Sequence, residues 1–386
     1  MEQKFFVLLI TLTAAFLFAV CPLALAQTES TATGDVATPP TDPGARPAQV
    51  ESTASGQLSP PPSTEGGDTG VRTVTVEQYL ELLNQEVQNG NNEAMITLGI
   101  IYERGQLGID QNYGTAMEWF QKAADAGVPE GYFNLGYFYQ VGAGTAPDFT
   151  KALLNYQKAA ELNLGVASYR LGQFYLFGKI GLTPNPEVAV KYLTEAGKRG
   201  VQDADYLLAS LYLNGANGVT QDIPAGIKLL NELAEKRNPV ALNELGAIYY
   251  LGQWNQAQDL PKSKDFFLRA ADLGFGVAMK NLAAYYRNVG DNQKPNLTLA
   301  LQWAILSINF GQNNQEMNDF IAQLRSEMRA EEVTAAETAA QEWVNQKIAE
   351  AQQLQQQQQA EANRQAQAQS QNQDAASSNN ETAPSQ

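Results

Sequence analysis

The apolar and polar positions of this 386-residue chain fall into three regimes. Met1 to Ala26 opens with an apolar run of sixteen residues, Phe5 to Val20. Two flanks, Gln27 to Thr73 and Ala351 to Gln386, hold no aromatic residue and few large aliphatic ones. Between them, Asn92 to Gly311 repeats itself at a period of 36 or 37 residues, the mark of a stacked-repeat protein. The pairs Leu98-Gly99, Leu135-Gly136, Leu171-Gly172, Leu208-Ala209, Leu245-Gly246 and Leu282-Ala283 recur in step. Four residues after each Leu stands a tyrosine (Tyr102, Tyr139, Tyr175, Tyr212, Tyr249, Tyr286), and four before it a small residue (Ala94, Gly131, Ala167, Ala204, Ala241, Ala278). Small, Leu and Tyr at i, i+4 and i+8 share one helical face, so each unit is predicted to contain a first helix that another helix approaches closely.

That helix is predicted to end at Gly105, Gly142, Gly178, Gly215 and Gly252, and in the sixth unit at Val289-Gly290, because glycine supplies the left-handed closing turn. A loop follows, then a column made only of Asn and Asp: Asn112, Asp148, Asn185, Asp222, Asp259 and Asn296. An acidic column is open to a metal-ligand reading. The interchange of Asn with Asp and the place in the unit favour capping, in which the side chain accepts free N–H groups at a helix start. Pro186, Pro224 and Pro261 in the next turn agree. Each column member therefore starts a second helix with a small–large–small stripe, as in Ala116-Phe120-Ala124 and Ala152-Tyr156-Ala160. The aromatic members are open to reading as a ligand-stacking box, but the stripe repeats with the architecture and is read as core. Gly127, Gly200, Gly274 and Gly311 close most of these helices.

The pattern resembles the Sel-one-like repeat family, a relative of the tetratricopeptide repeat. The resemblance rests on Leu98-Gly99, Tyr102, Gly105, Ala116, Trp119-Phe120, Ala123-Ala124 and Gly127, and again on Leu135-Gly136, Tyr139, Gly142, Asp148, Ala152, Tyr156 and Ala159-Ala160. A tetratricopeptide unit has about 34 residues, so the longer period favours the Sel-one-like class. The fourth unit departs through Ala209 and Leu229-Leu230, and the sixth lacks the first loop glycine. The resemblance implies an all-α, right-handed α-solenoid of antiparallel helix pairs, about six repeats plus capping helices. It also implies scaffolding and adaptor roles, including in bacterial envelope and secreted factors.

The organisation along the chain follows. Residues 1–26 read as a signal peptide, with Lys4 before the apolar run and cleavage after Ala24-Leu25-Ala26. Sixteen residues at about 1.5 Å each fall short of a hydrocarbon core of about 30 Å, so no stable membrane span is expected once the signal is cleaved. Cys21 then leaves with it. Residues 27–73, with seven prolines, read as a disordered linker. Residues 74–91 form a capping half-unit with Thr75 in the cap place, and 92–311 hold the six repeats. Residues 312–350 supply two capping helices, marked by Phe320, Ile321, Leu324 and Met328 and by Ala336, Ala339, Ala340 and Trp343. A stack must seal its terminal apolar faces. The Gln-rich tail 351–386 is expected to extend the last helix at its start and to be disordered beyond.

Composition narrows the function. The chain has no His, and Cys21 is its only cysteine. Ser–His–Asp triads, Cys–His pairs and the common zinc sites are excluded, and neither a cofactor nor a metal is implied. Twenty-five Lys and Arg against forty-one Asp and Glu give a net charge of −16, which disfavours nucleic acid and anionic membrane surfaces. The reading is a non-enzymatic, exported scaffold, periplasmic or secreted, that binds protein or peptide partners on an extended concave face. The position before each Leu varies in polarity: Thr97, Asn134, Arg170, Leu207, Glu244 and Asn281. Variation on a fixed helix suits recognition, with Asn134, Arg170, Glu244 and Asn281 as the expected partner contacts, although a solvated face free to drift explains the same variation. Two alternatives stay open: a carbohydrate-binding accessory using Trp254 and Tyr250, and a carboxylate-based polysaccharide enzyme with Glu103 or Glu244 as general acid.

Overall fold

Each member of the Asn/Asp column starts a helix by the expected means. The side chains of Asn112, Asp148, Asn185, Asp222, Asp259 and Asn296 accept the backbone N–H three residues on, at 2.9–3.1 Å. The backbone N–H groups of Asn112, Asp148, Asn185, Asp222 and Asn296 donate in turn to the carbonyls of Tyr102, Tyr139, Tyr175, Tyr212 and Tyr286, at 2.7–2.8 Å. In these five repeats one residue therefore closes both the end of the first helix and the start of the second. Asp148→Ala is expected to cost about 1 kcal/mol, while Asp148→Asn leaves stability unchanged; urea denaturation followed by circular dichroism separates the two.

The computed structural model describes residues 75–290 and 293–380, with side chains through 365. The predicted signal peptide, the linker and the last six residues of the tail lie outside the described residues. Helix α1, Val76–Gln88, begins with a capping box between Thr75 and Gln78. Six pairs follow: α2 Glu93–Arg104 with α3 Tyr113–Asp125, α4 Pro129–Val141 with α5 Phe149–Glu161, α6 Gly165–Phe177 with α7 Pro186–Lys198, α8 Gln202–Asn214 with α9 Ile223–Glu235, α10 Pro239–Leu251 with α11 Leu260–Asp272, and α12 Gly276–Asn288 with α13 Leu297–Asn309. Helices α14, Gln315–Glu327, and α15, Ala330–Asn380, complete the chain. There is no strand among the described residues beyond an isolated bridge residue at Lys294. The fold is an α-solenoid of antiparallel helix pairs.

The chain divides into two units, one through Gln258 and one from Asp259. In the first, each helix from α1 to α10 packs on its chain neighbour. Here the absent side chain of a glycine admits a large one from the partner helix. A Cβ at Gly99 would lie 2.4 Å from the Phe120 ring, one at Gly136 3.1 Å from Tyr156, and one at Gly172 2.7 Å from Leu193. Phe120 and Tyr156 are fully buried. The first helices end at Gly105, Gly142, Gly178, Gly215 and Gly252, all left-handed. In the second unit α11 packs on α12, α12 on α13, and α13 on both α14 and α15.

Helix α15 runs to Asn380, well past the start of the Gln-rich tail, where disorder is expected. No Gly or Pro interrupts residues 330–380, and Ala, Gln and Glu are good helix formers, so nothing stops the helix once its first turns are anchored.

Candidate interaction surface

The small residue, the Leu and the Gly or Ala after it face the core in each first helix, so the residue before the Leu sits at the edge of that face. The four expected contacts divide by burial. Asn134 on α4 is 7% exposed and Asn281 on α12 is 5% exposed, which leaves a partner little of either amide to reach. Arg170 on α6 and Glu244 on α10 are half-buried and stand at an accessible edge.

In the first unit, Arg170 lies over the Phe174 ring, 5.9 Å from its centre. The neighbouring Tyr169 hydroxyl is pushed up to about 12 by burial, with the Asp203 charge adding to the rise and Arg170 opposing it. Tyr169, Arg170 and the exposed Asp203 of α8 thus form one electrostatic neighbourhood across two consecutive first helices. The next step joins α8 to α10, where the Tyr206 hydroxyl donates to Glu244 Oε1 over 3.5 Å, a long and weak bond. Tyr169, Asp203 and Tyr206 precede the Leu by two and five residues. A reading confined to one position per helix misses them, although Asp203 and Tyr206 stand three residues apart on one helix and so share a face.

Burial holds the Glu244 carboxyl above its ordinary range, and the Tyr206 hydroxyl only partly offsets this. The folded state therefore binds this proton more tightly than the unfolded chain, so the group lowers stability as pH rises from the unfolded carboxylate range through the raised value. Glu244→Gln is expected to raise the melting temperature at pH 7 and to leave it unchanged at pH 4; thermal scans at the two values test this.

The residues of the two alternatives are placed as follows. Tyr250 and Trp254 are half-buried in the fifth repeat, and their carbonyls accept from the side chains of Gln258 (2.8 Å) and Gln256 (3.3 Å). Glu103 is 8% exposed and lines a cleft of about 390 Å³ between the first and second repeats, in which it is the one carboxylate. Glycoside cleavage needs two carboxyl groups about 5–9.5 Å apart, and Glu244 is no part of this cleft. Among the described residues no group of three His, Cys, Asp or Glu is placed to hold a metal ion, and no helix is long and apolar enough to cross a membrane.

Comparison with known proteins agrees with this geometry. The Sel1 repeat family model matches residues 92–128, 129–164, 165–201, 202–238, 239–275 and 276–309. The crystal structure of a Sel1 repeat protein from Oxalobacter formigenes superposes with a TM-score of 0.50 at 27% identity, over 60% of this chain and 99% of that one. The ERAD-associated E3 ubiquitin-protein ligase component HRD3A of Arabidopsis thaliana is 35% identical over 68 residues, 18% of this chain and 10% of that protein. Chitin synthase regulatory factor 3 of Schizosaccharomyces pombe is 30% identical over 113 residues, 29% of this chain and 12% of that protein. The similarity thus spans about a tenth of each of these two relatives' length.

Proposed function

This chain belongs to the Sel1 repeat family, and we propose that it is an exported scaffold that binds protein or peptide partners and performs no chemistry of its own. The reading rests on one contrast. Capping, Leu and tyrosine columns are held through the repeats, while the accessible edge beside them changes from Arg170 to Leu207 to Glu244. A stack built this way offers a long surface whose chemistry is set repeat by repeat. The relatives' names point the same way, one being a ligase component and the other a regulatory factor. The missing His, and a single cysteine inside the leader-like segment, support a role without catalysis. Export is supported by the segment Met1–Ala26 alone, and mature protein from the envelope or medium should begin at Gln27; a full-length N-terminus there would overturn it.

A photo-crosslinking residue at position 170 tests the scaffold reading. Discrete adducts are expected in the native compartment from position 170 and not from position 228, an exposed place on α9 whose Lys228 side chain is 76% accessible. Equal labelling from both positions, or none from either, would refute the surface.

A further inference from the structure

The two ends of a helix pair are closed by different means. At one end the cap residue of the second helix also holds the end of the first, as Asn185 does on the Tyr175 carbonyl and Asp222 on that of Tyr212. At the other end, in the third and fourth repeats, the residue three before the Leu of the first helix meets the residue that ends the second. In the third repeat the Arg199 guanidinium donates to the Ser168 hydroxyl at 2.6 Å. In the fourth, Lys236 and Asp205 form an ion pair at 3.6 Å. The same two places hold Met95 with Ala126 in the first repeat and Tyr132 with Leu162 in the second. In the fifth and sixth they hold Leu242 with Leu273 and Met279 with Phe310. The pairing is thus apolar in four repeats and polar in the two between them.

The polar pairs hold less firmly than apolar ones in the same places. Ser168 is 1% exposed, and its small hydroxyl fills a place given elsewhere to Met, Tyr or Leu, or to Asp205. Arg199 is shared among partners, donating also to Asn163 at 3.1 Å and pairing with Glu195 of its own helix at 3.5 Å. The Asp205 carboxylate reaches its place because Gly197 on α7 has no Cβ to collide with it, where the other second helices carry Ala or Ile. The Asp205 side chain is 14% exposed and that of Lys236 is 49% exposed, so the acid is largely desolvated and its counter-ion is not. Burial holds the Asp205 carboxyl above its ordinary range, and Lys236 offsets only part of the rise. A half-exposed ion pair contributes little to stability and is screened by salt, whereas apolar side chains contribute through the area they bury.

We propose that the third and fourth repeats are a flex point of the first unit, where the C-terminal ends of α7 and α9 swing away from α6 and α8 by releasing Arg199 from Ser168 and Lys236 from Asp205. The capped ends at Asn185 and Asp222 stay closed and act as pivots. The curvature of a stack follows from a small rotation per repeat, so play in these two layers changes the shape of the surface the unit presents. Amide exchange of the full-length protein, read by mass spectrometry at low salt and at about 0.5 M NaCl, tests this with no partner present. Residues 191–198 of α7 and 228–235 of α9 are expected to exchange faster than 154–161 of α5, the equivalent stretch of the second repeat. Salt is expected to speed exchange of 228–235 by about twofold to fivefold and to leave 154–161 unchanged. Asp205→Leu combined with Lys236→Leu copies the pair of the fifth repeat; it is expected to slow 228–235 by about tenfold and to remove the salt response. Should that variant fold poorly, the salt comparison on unaltered protein decides. Equal exchange in the three stretches, or no response of 228–235 to salt, would overturn the flex point. So would faster exchange in a folded double-leucine variant, which would make the ion pair a support. None of these outcomes bears on adducts at position 170, so the scaffold reading stands or falls separately.

Discussion

Gly131→Val is expected to separate the first two repeats and to lower the stability of the first unit by roughly 3 kcal/mol, at the upper end of what overpacking costs. Gly131 begins the small–Leu–Tyr face of α4, and a Cβ there would lie 2.5 Å from the backbone nitrogen of Ala124 and 2.9 Å from the carbonyl carbon of Ala123 on α3. Backbone atoms have no rotamer by which to retreat, so the two helices must part. Replacing a helical glycine returns about 1 kcal/mol of helix propensity at most, and less for a β-branched residue or in the first turn, where Gly131 stands, which is too little to offset the clash. Gly136 is the contrast. A Cβ there meets only the Tyr156 ring, at 3.1 Å, and Gly136→Ala is expected to cost far less. Because each repeat touches only its neighbours, the Gly131 variant should also split a single urea transition into two. An unchanged, single transition would show that α3 and α4 tolerate a wider seam.

Much of this architecture is legible in the residues because it depends on local chemistry. An Asn or Asp at a helix start, a glycine at a helix end and a Leu between a small residue and a tyrosine each act within one or two turns, and six copies in phase remove the ambiguity of any one. Where the repeat uses a less specific residue the reading thins. Asn163 and Arg237 take the left-handed place that Gly127, Gly200 and Gly274 fill in their own repeats, and only the period reveals them. The candidate surface is less legible. Asn134 and Arg170 hold the same place in consecutive repeats, yet one is buried and the other half-exposed, because exposure at the edge of a helical face depends on what the adjacent helix places over it. Glu103 shows the same limit. It lines one cleft with Tyr113 and Tyr137, from three helices, and no spacing within one helix foretells their meeting.

Trp343→Ala is expected to release the long terminal helix from the second unit. The first turns of α15 lie on α13 through Ala336 and Ala340, which are 0% and 2% exposed. Trp343 makes edge contacts with Trp303 at 6.1 Å and with Phe310 at 5.6 Å. One turn further, Lys347 Nζ lies 2.5 Å from Asp272 Oδ1 on α11. From Ala351 to Gln365 every residue is exposed, so this stretch has no packing and persists only by propagating from an anchored start. Propagation needs far less than nucleation, which fixes several residues for one hydrogen bond; losing the anchor therefore removes more helix than the residues it touches. Truncating a core tryptophan costs about 3–5 kcal/mol, and because Trp343 is half-buried the lower figure applies. Far-ultraviolet circular dichroism should lose helix on the scale of α15, and amide exchange should accelerate from Ala336 to Glu350 while α12 stays protected. Trp343→Phe keeps an aromatic edge against Phe310 and should retain most of the helix. If the alanine variant instead keeps full protection over Ala336–Glu350, the helix is held by the alanine seam and the Lys347 contact, and the aromatic cluster is not its anchor.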